Sequence, residues 1–196
     1  MARQTEGIPK KFKNLFIVDG ITEEKYFNAI FQRYKLSATE VKRISNSGNM
    51  AVIQGLSEAH GKEEAEGKTY DYYYIVIDRD DLTESDYDKI CRDLASQTNV
   101  QLVFSNIAFE VWLLAHYDTM TARPVDVLKD REDLKIVLGK RLGVKYKKGD
   151  IKQLYKIMSN SNHSIELPLK NTKNISKINM AYQCTNVGVV LSHVIG

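Results

Sequence analysis

The chain has 196 residues, 43% of them hydrophobic and 27% charged, so it can bury a full core without disulfides or a structural metal. This composition excludes a disordered tail, a collagen and a heptad rod. No apolar run approaches the ~20 residues of a membrane helix, and no secretory signal is recognisable, so we expect a cytoplasmic protein. Cys91 and Cys184 lack zinc-ligand spacing, and we expect two reduced, buried thiols.

The net charge of +3 hides an asymmetry along the chain. Residues 1–126 contain 15 Lys or Arg and 20 Asp or Glu, whereas residues 127–196 contain 13 and 5. We predict an α/β core over residues 1–120 and a basic helical part over 121–196, packed together as one structural unit. The basic part suits a surface that meets a polyanion, although a solvated lysine-rich face has the same composition.

The first elements alternate between strand and helix. Asn14–Val18 is a short apolar run that predicts a buried strand, and Thr22 is placed to cap the helix that follows it. Val41–Ser45 predicts a weaker strand, the polar residues 46–49 predict a turn, and Met50–Ala59 predicts a helix.

The strongest strand of the chain is Tyr70–Ile77, which is rich in aromatic and β-branched residues. We predict a helix over Ser85–Ser96, a strand over Gln101–Phe104 and a helix over Ala108–His116, whose terminal histidine would favour the helix dipole. From Pro124 onward the pattern is helical, with breaks predicted near Gly143, Gly149, Ser159–Ser164 and Pro168. This alternation predicts a mostly parallel, Rossmann-like α/β sheet flanked by helices, with a helical C-terminal extension.

Acidic residues follow two of the predicted strands. Asp19 comes directly after the first strand, and Asp78 and Asp80 form a D-x-D after the strongest one. Ligands of such sheets bind beyond the carboxyl ends of the strands, where these carboxylates would converge. Carboxylate oxygens suit Mg²⁺ or Mn²⁺, although an Asp-rich turn that caps a helix has the same sequence.

Two glutamates extend this acidic set. Glu23 lies four residues after Asp19 across a strand–helix junction, where it faces the same site or complements the helix dipole. Glu110 lies among apolar residues, where an unpaired carboxylate is costly. It is either on an exposed polar stripe or directed at a cation. Around divalent ions, such carboxylates support phosphodiester cleavage.

Three segments in this order resemble the RloB/AbiLii family, which has a Toprim-type domain and occurs with bacterial restriction and abortive-infection operons. The segments are FIVDGITEEKYF, YYYIVIDRDD and SNIAFEVWLLAHY, and YKKGDIKQLY and CTNVGVVLSHVI match more weakly. The resemblance covers about residues 14–195. It implies a metal-dependent nuclease subunit of an anti-phage system, encoded beside an AAA or ABC ATPase.

The family's catalytic positions carry over by resemblance to five acidic residues of this chain: Asp19, Glu23, Asp78, Asp80 and Glu110. The first four are also the metal ligands that the resemblance implies. Asp19 departs from the glutamate that is usual at its position, and its shorter side chain puts activity in question. Ile107 replaces a usual proline, which affects no expected role. No Walker A pattern occurs, so ATP hydrolysis would come from a partner.

Basic residues of the second half form a candidate track for DNA or RNA, including tRNA. These are Lys140, Arg141, Lys145, Lys147, Lys148 and Lys152, with Arg79 from the acidic turn. Tyr146 would stack a base or pack inward. Two other functions stay open: a catalytically silent nucleic-acid-binding or regulatory subunit, and a phospho-acceptor receiver, against which the D-x-D and the basic region argue.

Overall fold

The computed structural model describes residues 12–44, 67, 69–79 and 82–196. Five strands form one sheet in the order β2-β1-β3-β4-β5. The strands are β1 (Asn14–Val18), β2 (Thr39–Arg43), β3 (Tyr72–Asp78), β4 (Val100–Asn106) and β5 (Cys184–Thr185). The first four are mutually parallel, and β5 pairs antiparallel with β4. The predicted α/β fold with a mostly parallel sheet is confirmed.

Seven α-helices are found in the described part of the chain. They are α1 (Ile21–Arg33), α2 (Glu84–Ala95), α3 (Glu110–Leu114), α4 (Val127–Leu142), α5 (Ile151–Ser159), α6 (Glu166–Thr172) and α7 (Val187–Ile195). A 3₁₀ turn, Lys173–Ile175, extends α6. None of these helices combines the length and apolar composition needed to cross a bilayer.

The strand order places a change of direction between β1 and β3. The chain moves from β1 outward to β2, and then returns to the other side of β1 as β3. Val18 pairs in register with Val76, so the residues that follow both strands reach the same edge of the sheet. Ligand sites of open α/β sheets lie at such a crevice.

The core extends from the sheet into the basic half of the chain. Phe16 of β1, Trp112 of α3, Leu138 of α4 and Leu191 of α7 are all fully buried in one apolar cluster. Trp112 is therefore a core residue, as its apolar neighbours predict. Each apolar side chain buried in this way contributes roughly 1.5–3 kcal/mol.

The short strand β5 was not predicted, because two residues carry no periodic signal. It is held by the Asn186 side chain, which accepts a hydrogen bond from Phe104 N at 2.7 Å and donates one to Leu102 O at 2.9 Å. Ser105 and Thr185 join their hydroxyls across the pair at 3.0 Å. These polar contacts fix the C-terminal segment to the edge of the sheet.

Several local predictions are wrong, and two fall on residues that the structure does not describe. Gly20, not Thr22, is the N-cap of α1, because the helix begins two residues earlier than a cap at Thr22 predicts. Pro168 lies in the first turn of α6 and does not break it, since proline is tolerated there. The predicted turn over 46–49 and helix over Met50–Ala59 lie outside the described residues. Cys184 is buried, as predicted, whereas Cys91 is only half-buried.

Candidate active site

Glu23 folds back over the start of α1. A Cβ atom added to Gly20 would overlap the Glu23 carboxylate, so the side chain lies against the main chain at the N-terminus of its own helix. Gly20 has extended backbone angles that any residue adopts, and an added Cβ would conflict with the end of the Glu23 side chain in its present position. Glu23 is only 8% exposed, so its carboxylate is buried at this strand–Asp–Gly–helix junction.

A loop between α4 and α5, residues 143–150, is anchored on the same helix start. Gly149 N donates to Thr22 Oγ1 at 2.9 Å, and Gly149 O accepts from Lys25 Nζ at 2.6 Å. Gly149 has a φ of +70°, which favours glycine. Asp150 then caps α5 by accepting from Lys152 N at 3.0 Å. The loop therefore brings Tyr146 and Lys148 to α1 from more than 120 positions away.

Glu110 begins α3, four residues beyond the end of β4, and is 1% exposed. Its Oε1 lies 3.7 Å from Lys148 Nζ and has no hydrogen-bond partner among the described residues. A buried carboxylate oxygen without a donor carries a desolvation cost that a cation would offset. Of the two predicted positions for Glu110, the exposed polar stripe is therefore wrong.

Glu23 lies in the field of these same groups. Burial, countered in part by its own backbone N–H, raises the pKa of Glu23 to about 7. The charges of Glu110 and Asp19 raise it further, and Lys148 lowers it. A glutamate with the usual pKa of 4.5 is deprotonated near neutral pH, whereas Glu23 is present there in both its protonated and its deprotonated form. Burial in a low-dielectric site has this effect on a carboxyl group, and nearby like charges add to it.

Of the two positions predicted for Tyr146, the structure shows the inward one, and base stacking by this ring is wrong. The side chain is 7% exposed, and its hydroxyl has no hydrogen-bond partner in the described structure. Burial first, and then the charge of Glu110, raise the pKa of this phenol. A neutral hydroxyl consequently lies beside the carboxylates as a potential donor.

The five predicted acidic residues are placed as follows. Asp19, Glu23 and Glu110 are brought into one electrostatic group. Asp78 ends β3 opposite Ser105 and reaches the same sheet edge as Asp19. Asp80 lies outside the described residues. Among the described residues, no three His, Cys, Asp or Glu side chains are grouped closely enough to hold a metal ion. The oxygen chemistry and the donor-free Glu110 atom fit a hard cation.

A scan of protein-family models matches the chain over residues 15–193 to the family described as RloB-like protein. The chain belongs to the RloB-like family. This membership suggests a protein associated with restriction or defence systems. Searches of curated proteins and of solved structures found no match.

In this RloB-like chain the predicted basic track divides into bound and exposed members. Arg141 forms two hydrogen bonds with Asp118, at 2.9 and 2.5 Å. Arg79 donates to the Met180 carbonyl and so holds the loop before β5. The side chains of Lys140, Lys145, Lys147 and Lys152 are exposed. Phosphate contact by any of them stays a prediction.

His116 is buried in a polar contact chain behind the site. Its Nε2 is 2.9 Å from the Tyr26 hydroxyl, and its Nδ1 is 2.7 Å from Ser161 Oγ. Burial lowers the pKa of His116 to about 3, so the ring is neutral. The prediction that a charged His116 favours a helix dipole is wrong, because the ring ends inside the core.

Gly20→Ala should disturb the site through one methyl group. The added Cβ would displace the Glu23 carboxylate, and we expect a loss of roughly 1–2 kcal/mol in the free energy of unfolding, measured with urea. Adding Glu23→Ala removes the overlapping side chain, so most of the loss should be recovered in the double variant. Equal losses with and without Glu23 would contradict the overlap.

Proposed function

We propose that this protein is a metal-dependent nuclease subunit that cleaves phosphodiester bonds of DNA or RNA in a bacterial anti-phage system. The observation that carries the proposal is the group of Asp19, Glu23 and Glu110 at the carboxyl edge of a parallel sheet. Burial and the neighbouring charges of Glu110 and Asp19 raise the pKa of Glu23, and a divalent cation would offset the cost of its charged form. Membership of the RloB-like family supports the same conclusion.

The residues that would hold Mg²⁺ or Mn²⁺ are Asp19, Glu23 and Glu110, with Asp78 and Asp80 from the D-x-D. The described carboxylates would have to lie closer together than they do here to share one ion. A bound divalent ion supplies an activated water and neutralises charge on the phosphate. Binding requires the deprotonated form of Glu23, which is half populated near pH 7. Metal affinity should therefore increase with pH across neutrality.

Two side chains of the loop over residues 143–150 would contact the phosphate of the substrate. The Lys148 side chain is 49% exposed and its ammonium lies 3.7 Å from Glu110, so it would pair with a phosphate oxygen that approaches the carboxylates. The Tyr146 hydroxyl, buried and uncharged, would donate to a neighbouring oxygen. Both depend on the Gly149 contacts with α1, so loop position and substrate position are coupled.

The proposal includes an ATPase partner of the AAA or ABC class. The sequence has no Walker A pattern, so the energy-consuming step of the system would be performed by another subunit. Co-expression with the neighbouring ATPase tests this part: nuclease activity should appear or increase in the complex.

A catalytically silent subunit is the second candidate. Asp19 has a shorter side chain than the glutamate expected at its position, and Lys148 already neutralises part of the charge on Glu110. Under this alternative, Asp19→Glu would create activity in a protein that has none.

The direct test is cleavage of plasmid DNA and of tRNA by the purified protein and by its ATPase complex. We expect cleavage with Mn²⁺ or Mg²⁺, none in EDTA, and none with Asp78→Ala. Calorimetric titration with Mn²⁺ in two buffers of different ionisation enthalpy should show a net release of protons on binding near pH 7. Cleavage that persists in EDTA would count against the proposal.

A further inference from the structure

A cavity of about 460 Å³ lies beside the candidate active site, between the C-terminal half of α4 and the loop that follows it. Its volume is in the range of ordinary ligand sites. The residues that line it include Lys135, Ile136, Gly139, Lys140, Val144 and Lys145. Glu132, Gly143 and Tyr146 complete the lining.

The rim of this cavity is positively charged. Lys140 and Lys145 are exposed there, and Lys135 Nζ donates to Glu132 Oε1 at 2.6 Å, which neutralises the acidic member of the lining. The lining therefore has an excess of positive charge. This arrangement complements an anionic partner.

The cavity also presents apolar side chains that a pure phosphate track does not need. Ile136 is 53% exposed and Val144 is 54% exposed, both beside the lysines. Apolar surface enclosed by cations matches a nucleotide, whose base has two apolar faces and whose flanking phosphates are anionic. A folded double helix would not present a free base to such a cavity.

Two residues connect the cavity to the carboxylate group. Tyr146 lines the cavity, and its hydroxyl lies close enough to Glu110 for that charge to act on it. Lys148 acts electrostatically on Glu132 of the lining and also contacts Glu110 at 3.7 Å. A ligand in the cavity would therefore have its backbone close to the candidate metal site.

We propose that this cavity receives one unpaired nucleobase of a single-stranded nucleic acid, with the flanking phosphates held by Lys140 and Lys145. The inference rests on the proposed function for its substrate class and adds the form in which the substrate is bound. It predicts a preference for single-stranded or looped segments. The carboxylates would then act on the phosphodiester next to the held base.

The test measures binding in EDTA, so that it does not depend on cleavage. Fluorescein-labelled 12-nucleotide single strands of DNA and of RNA are titrated with the wild-type protein, each with a matched strand that carries abasic sites. We expect base-bearing strands to bind at least tenfold more tightly than abasic ones. Comparison of the DNA and RNA arms identifies the sugar that is preferred. Equal affinity for base-bearing and abasic strands in both arms would overturn the proposal.

Two valines provide a matched pair of variants. Val144 lines the cavity, whereas Val137 is 39% exposed on the same helix–loop unit and does not line it. Val144→Trp should weaken binding at least tenfold and leave the dependence of affinity on salt unchanged, because no phosphate contact is lost. Lys140→Ala should reduce the salt dependence, and Val137→Trp should change neither.

The outcomes separate this inference from the nuclease proposal. Base-dependent binding without metal-dependent cleavage would uphold the cavity and reject the nuclease. Metal-dependent cleavage together with equal affinity for base-bearing and abasic strands would uphold the nuclease and reject the cavity as a base site. If Val144→Trp and Val137→Trp bind alike while both retain the wild-type melting temperature, the cavity takes no base. Preferential binding of an acidic peptide over every oligonucleotide would also overturn it, in favour of a protein partner.

Discussion

Glu23→Gln should abolish Mn²⁺-dependent cleavage, whereas Glu24→Gln should leave it near the wild-type rate. The two glutamates are neighbours on α1 but have different surroundings. Glu23 is 8% exposed among other carboxylates, and Glu24 pairs with Arg43 at 2.9 Å on the surface. Loss of a partner that only orients a metal ligand costs 10–100-fold, so loss of a ligand itself should cost at least about a hundredfold.

The measurement is single-turnover cleavage over a range of Mn²⁺ concentrations. If Glu23 binds the ion, the variant needs more Mn²⁺ as well as being slower, because an amide is a weaker ligand than a carboxylate. Comparable melting temperatures for both variants without metal show that folding is intact. Equal rates for the two variants would remove Glu23 from the site.

The sheet could be predicted from the sequence because its inner strands are buried on both faces. β1 and β3 are continuous apolar runs, and a strand covered by helices on both sides has this pattern. The placement of Asp19 and Asp78 follows from the same fact, since parallel neighbours end at one edge. The sequence therefore predicted which edge carries the acidic residues.

The role of the loop between α4 and α5 could not be predicted in this way. Its position depends on two hydrogen bonds between Gly149 and α1, which join residues far apart in sequence. Thr22 was predicted as a cap, yet its hydroxyl accepts one of these bonds. The Gly149-Asp150 pair was the available signal, because a left-handed glycine before a helix cap indicates a tightly turned loop.

The inward position of Tyr146 follows from the same anchoring. Flanking lysines suggest an exposed segment, but alternate residues of an extended loop point in opposite directions. Lys145 and Lys147 are exposed while Tyr146 is buried. A local pattern of charge therefore identified the surface but not the group directed into the site.

The free energy of unfolding should respond to pH with opposite slopes in Glu23→Gln and His116→Gln. In the metal-free protein the pKa of Glu23 is about 7 when folded and 4.5 when unfolded, so the folded state holds the extra proton between these values. Stability then falls as pH rises through this window. The pKa of His116 is about 3 when folded and 6.5 when unfolded, so its contribution falls as pH decreases.

Between pH 4.5 and 6.5 the two contributions oppose each other, each at up to about 1.4 kcal/mol per pH unit. His116→Gln leaves the Glu23 slope, so this variant should lose stability relative to the wild type as pH rises. In Glu23→Gln only the His116 contribution remains, so this variant should gain stability relative to the wild type as pH rises. Urea unfolding in EDTA at half-unit pH steps measures both, with exposed His193→Gln as the control. Slopes of the same sign in both variants would show that one of these groups is not buried in the assumed protonation state.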